Sequence, residues 1–132
     1  MNEEQKKLFA ERLLDYEARP LSTIRYYFEN KQALKDSNDW KNDKLYHARA
    51  NAQAGQIQDV NTALLIDLAR EGWDNLRKNT WDKEEGTTPK SIFKDSIKDM
   101  KANMYGLQQG LSQPFKNVDN ILDKSYLRGL NE

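Results

Sequence analysis

The chain has 132 residues, 37% of them apolar and 32% charged, with 21 basic side chains against 21 acidic ones. That length supports one domain with a core of its own, and a formal charge of zero argues against a broad nucleic-acid groove. There is no cysteine, which excludes disulfides, thiolate nucleophiles and cysteine-ligated zinc together.

The N-terminus is charged from Glu3 onward and shows no signal-peptide pattern. No window reaches the roughly 18 consecutive apolar residues of a membrane span. The expectation is a cytoplasmic protein, with export by a specialised system as the alternative. Leu8, Phe9, Leu13, Leu14 and Tyr16 make an apolar stripe that predicts a helix over 3–18. Pro20 interrupts the pattern, and Leu21, Ile24, Tyr27, Phe28 and Leu34 predict a second helix over 20–35, joined to the first at that proline.

The stretch 37–43 is turn-rich, with Asn42 a candidate cap and Asp43 in the first turn of a helix over 43–57. Alanines on that helix permit close approach by a neighbour. Asp59 is a candidate cap for a helix over 60–79, carrying Val60, Leu64, Leu65, Leu68, Trp73 and Leu76. Residues 78–88 change character and read as the longest internal loop. Thr88 and Pro89 then mark the start of a helix over 89–108, with Ile92, Phe93, Ile97, Met100, Met104 and Leu107 in phase. Gly106 and Gly110 are expected to weaken or end it. The tail, 111–132, carries Phe115, Ile121, Leu122 and Tyr126, so it is expected to pack across the bundle with a short helix near 119–127. No strand-period segment competes. The fold class is all-α, a helical bundle formed by a single domain over 1–132.

Three segments resemble the serum amyloid A family in the same order. Asp43-Lys44-Leu45-Tyr46-His47-Ala48-Arg49-Ala50-Asn51 is similar to its DKYFHARGN segment, Ala69-Arg70-Glu71 to the ARE of SDAREN, and Asp99, Ala102, Asn103, Tyr105 and Gly106 to DQAANEWG. The resemblance spans 43–110 and implies a four-helix bundle wrapped by its C-terminal tail. It also implies lipid or apolar-ligand association and oligomerisation. Similar modules occur in bacteria, including in polymorphic toxin-like proteins, and the chain looks more like a bacterial or phage-borne relative. It departs from the family at Ala50, where the family has glycine, and at Leu68, where it has aspartate. Asp67 lies about 100° around the helix from that position and does not simply replace it.

His47, the only histidine, is the residue best suited to titrate near neutrality. It has no accompanying nucleophile motif and no metal-ligand spacing. The favoured reading makes it a scaffold residue one turn from Asp43 and from Asn51, with catalysis and exposed binding as the competing readings. Arg70, one turn before Asp74, is a candidate buried ion-pair partner, and Glu71 lies one turn after Asp67. Asp99 and Asn103 share a helix face that ends at Gly106. Tyr46, Arg49 and Tyr105 complete the expected structural set. Arg19, Arg25, Lys31 and Lys35 are broken up by Glu29 and Asp36, which reads as a solvated face. No catalytic constellation, metal site or cofactor fingerprint is complete. The functional expectation is a non-enzymatic binding or interaction module for a protein, a peptide or an apolar small molecule, with homo-oligomerisation included. The alternative is a toxin-associated effector domain.

Overall fold

The computed structural model describes residues 2–80 and 89–130. Six α-helices follow in order: α1 (Glu3–Glu17), α2 (Leu21–Ser37), α3 (Asp43–Gln56), α4 (Val60–Thr80), α5 (Pro89–Ser112) and α6 (Lys124–Gly129). Single 3-10 turns at Trp40–Asn42 and Val118–Asn120 join them. There is no strand among the described residues, and no described helix is long and apolar enough to cross a membrane. The expected Thr88 cap and most of the expected 78–88 loop lie outside the described residues, while 78–80 belong to α4.

The helix starts follow local chemistry. Asn2 and Gln5 form a reciprocal capping box at α1, and Asp123 caps α6 through the backbone of Tyr126. Asn38 closes α2 in the left-handed conformation, φ 52°, which asparagine tolerates. Two expected caps act differently. Asn42 makes no side-chain bond to α3 and accepts instead from Arg128, at 3.4 Å. The Asp59 carboxylate takes the hydroxyl of buried Thr23, at 2.6 Å, tying the start of α4 to α2.

The centre of the molecule is α3 packed on α5. Gly106 and Gly110 do not end α5, which runs on to Ser112. They remove side chains where two backbones meet. A Cβ on either would stand within 3.0 Å of the carbonyl group of Ala48 or Ala52, and one on Gly55 would press on the Leu107 carbonyl. Ala48, Ala52 and Ala102 fill what remains of the seam. Helix propensity disfavours glycine by about 1 kcal/mol; packing overrides it here.

Around this seam the amphipathic pattern is reversed. Among the described side chains of α4 the buried ones are Ala63, Asp67 and Glu71, while Leu65 (67% exposed), Leu68 (71%) and Leu76 face outward. On α5, Asp99, Ala102, Asn103 and Leu107 are buried, and Phe93, Met100 and Met104 are exposed. The apolar phase that predicts these helices is real, but it does not mark the face turned to the core. Helix α1 buries none of its residues, so its expected core stripe is also on the surface.

The tail does pack, through partly different residues. Val118, Ile121, Leu122 and Leu127 join Ala48, Ala52 and Ala102 in one buried cluster. Phe115 and Tyr126 are about half exposed, and meet Phe9 and Tyr105 with ring centroids 5.4 and 4.9 Å apart. The expected helix over 119–127 is divided into the turn at Val118–Asn120 and α6.

Candidate functional site

Beside the small-residue seam lies a network of buried polar side chains. Asn51 is fully buried on α3. Its amide donates to the His47 carbonyl (2.9 Å), to Asn103 Oδ1 on α5 (3.1 Å) and to Asp67 Oδ1 on α4 (3.3 Å). Its own carbonyl accepts from the Tyr27 hydroxyl of α2 at 3.0 Å, and that hydroxyl lies 2.7 Å from Asp67. One asparagine thus joins four helices. Burial raises the pKa of Asp67, against the lowering effect of its Tyr27 and Asn51 bonds. Burial and the Asp67 charge likewise raise that of Tyr27.

At the other end of α3, Lys44 is buried and its ammonium pairs with Asp99 of α5 and with Asp43, the latter at 3.2 Å. Burial disfavours the Lys44 charge, but Asp99 and Asp43 outweigh it and raise the pKa. Burial alone would raise that of Asp43; its contacts with His47 and then Lys44 hold it well below the usual carboxylate range. Glu71 has the opposite fate. Burial, and then the adjacent Asp99 charge, push its pKa up to about 7, and its Oε1 has no hydrogen-bond partner. Asp43, His47 and Asp99 hold ligand-type atoms within 4.8 Å of one another. Lys44 already supplies the positive charge between the two carboxylates, so a metal ion there would have to displace it.

His47 is 4% exposed. Its Nε2 faces Asp43 Oδ1 at 3.0 Å and Arg70 Nη2 at 2.6 Å, while Nδ1 is buried without a partner. A proton on Nε2 serves Asp43 and opposes Arg70; a bare Nε2 accepts from Arg70 and turns a lone pair toward Asp43. One nitrogen cannot satisfy both neighbours. The expected pairing of Arg70 with Asp74 does not form. Asp74 pairs with Arg77 at 3.7 Å, and among the described residues no carboxylate lies within ion-pair distance of Arg70.

The remaining expected residues make contacts between elements. Arg49 bridges Asp119 (2.9 Å) and Asn30 (3.1 Å), linking α3 to the tail and to α2. The Tyr105 hydroxyl accepts from the Asp123 backbone at 2.8 Å. Gly106 lies under Ala48, and Tyr46 lines a small recess with His47 and Arg70. Asp67 is inside while Leu68 is exposed, so the carboxylate one residue before the family-like position is the one that enters the core. Tyr27, Lys44 and Asp67 are the network members that sequence reasoning passes over. For Lys44 the signal was a charged residue one helical turn before Ala48 on the face that meets α5.

Two cavities flank α4. A groove of about 580 Å³ runs between α2 and α4, with Phe28, Trp40 and Trp73 on its walls and Arg70 among its lining residues. On the other side, a cavity of about 220 Å³ between α4 and α5 is lined by Leu64, Leu68, Met100 and Met104, with Asp67, Glu71 and Asn103 completing it. No family model, curated protein or solved structure matches this chain.

Proposed function

We propose that the chain is a non-enzymatic binding or interaction module that presents an apolar surface on α4 and α5 to a partner. One observation carries this reading: both helices bury polar side chains and turn leucine, methionine and phenylalanine outward. Contiguous apolar surface of that kind is a common mark of an interaction site. The partner class is an apolar small molecule, a peptide, a protein or a second copy of the chain, and the reading invokes no cofactor or metal. The three family-like segments support it, since serum amyloid A-like modules associate with apolar partners; membership of that family belongs to the proposal. A cytoplasmic location, with specialised export as the alternative, belongs to it as well.

The competing reading is effector chemistry at the His47–Arg70 contact. The binding reading is favoured because His47 is almost wholly buried and its facing nitrogen is already engaged by two neighbours. The experiment compares wild type with the double variant Leu68→Gln, Met100→Gln, both positions exposed. Sedimentation velocity and the fluorescence of Nile red, an uncharged apolar dye, are the readouts. The wild type should self-associate or bind the dye, and the variant should lose at least fivefold of either effect at an unchanged melting temperature. A monomeric wild type that leaves the dye dark refutes the apolar-ligand and self-association forms of the proposal.

A further inference from the structure

The groove between α2 and α4 has a second chamber. Beyond the main volume a recess of about 30 Å³ opens among Tyr27, Lys31, Leu34, Tyr46, His47 and Arg70. That volume holds roughly one or two water-sized groups. Tyr27, Lys31, Leu34 and Arg70 line both chambers, so the recess is the inner end of the groove. Its lining includes two cations and no carboxylate.

Three further facts bear on what fits there. Among the described residues, neither Lys31, Lys35 nor Arg70 makes an ion pair at contact distance, and the Arg70 charge reaches a carboxylate at longer range, at Asp67. The acids of the outer groove are both engaged, Asp43 by His47 and Lys44 and Asp74 by Arg77. Arg70 directs a guanidinium nitrogen at a histidine nitrogen that Asp43 also claims. A guanidinium in this position lacks the two-oxygen acceptor that matches its fork. The outer walls set the aromatic side chains Phe28, Trp40 and Trp73 among charged ones, and the groove's volume falls within the range of small-molecule sites.

The geometry points to a carboxylate-binding site: the recess takes the acid group of a small organic acid between Arg70 and Lys31, and the aromatic groove takes its apolar body. The incoming carboxylate accepts from Arg70 and frees His47 Nε2 to donate to Asp43, so binding resolves the competition at that nitrogen. The recess suits a planar carboxylate better than a bulkier tetrahedral phosphate. This site lies across α4 from the exposed α4–α5 face and stands independently of it.

The test is isothermal titration calorimetry with three matched probes: 4-phenylbutyrate, its uncharged amide, and phenylpropyl phosphate. The carboxylate should bind at least tenfold more tightly than the amide or the phosphate. Lys31→Met, at an exposed position, should remove most of that preference while leaving the melting temperature unchanged. Arg70→Lys keeps the charge but loses the fork, and should weaken carboxylate binding about tenfold. Leu68→Gln, on the opposite face of α4, should leave it unaltered. Equal affinity for acid and amide overturns the inference, as do a preference for the phosphate, failure of the acid to bind at millimolar concentration, or a Lys31→Met protein that binds the acid as tightly as wild type.

Discussion

Replacing Glu71 by glutamine should stabilise the protein at neutral and alkaline pH. In the folded chain burial and the neighbouring Asp99 raise the Glu71 pKa from 4.5 to about 7, so the native state holds its proton more tightly than the unfolded one. The contribution from this group is therefore fully present below about pH 4.5 and is lost as pH rises through about 7. At about 1.4 kcal/mol per unit, the shift corresponds to about 3 kcal/mol at most. Solvent reaching the carboxyl from the adjoining cavity reduces it, so about 1–3 kcal/mol is expected. Glutamine keeps the shape and can donate to Asp99 without a charge. Urea denaturation of both proteins from pH 4.5 to 8.5 measures the difference. Near pH 4.5 the two should be equally stable, and by pH 8 the variant should be ahead by that amount. Asp67, whose pKa is also raised by burial, bends both curves alike and cancels in the comparison. Parallel curves across the whole range would falsify the account of Glu71 as a buried, proton-holding carboxyl.

Gly106→Ala should cost about 3 kcal/mol or more, because its Cβ would meet the Ala48 carbonyl group rather than a yielding side chain. Gly72→Ala, with nothing within 4 Å of the new Cβ, should instead stabilise α4 by about 0.5–1 kcal/mol; thermal melts of the pair measure the contrast. His47→Ala leaves Asp43 and Arg70 without their shared partner and should cost about 1–3 kcal/mol, read by the same melts. Leu127→Ala, at a fully buried site, should cost about 2–5 kcal/mol and speed amide exchange selectively over 118–127; uniform exchange across the chain would contradict tail docking as a local event.

The helix positions were legible because apolar periodicity and proline act locally. Pro20 marks a real boundary, and Asp43 begins α3 as its place in the first turn implies. The alanine face of α3 was legible; which face of α4 and α5 turns inward was not. On α4 the leucines define a clean periodic stripe, yet the residues turned inward are Ala63, Asp67 and Glu71, because the seam admits small side chains and the polar network needs carboxylates. Periodicity identifies a helix with two unlike faces, but only its neighbours decide which face is inside. For the same reason Gly106 and Gly110 read as helix ends from sequence, whereas in space they are crossing points. His47, Asp43 and Asn51 could be grouped from one-turn spacing. The Arg70–His47 contact joins residues 23 apart in sequence, and no local rule reaches across that distance.

The polar interior has a calorimetric consequence. Unfolding raises heat capacity in proportion to the apolar area it exposes and lowers it for the polar area. Here unfolding would hydrate Asn51, Asn103, Asp67, Glu71 and Lys44, while Leu65, Leu68, Phe93 and Met100 already meet water in the folded chain. The heat-capacity increment of the isolated chain should therefore fall below the usual ~12–15 cal/mol/K per residue, giving a broad, shallow dependence of stability on temperature. A partner covering the outward face of α4 and α5, as proposed, would restore the missing apolar burial, and the increment would then rise toward the ordinary value.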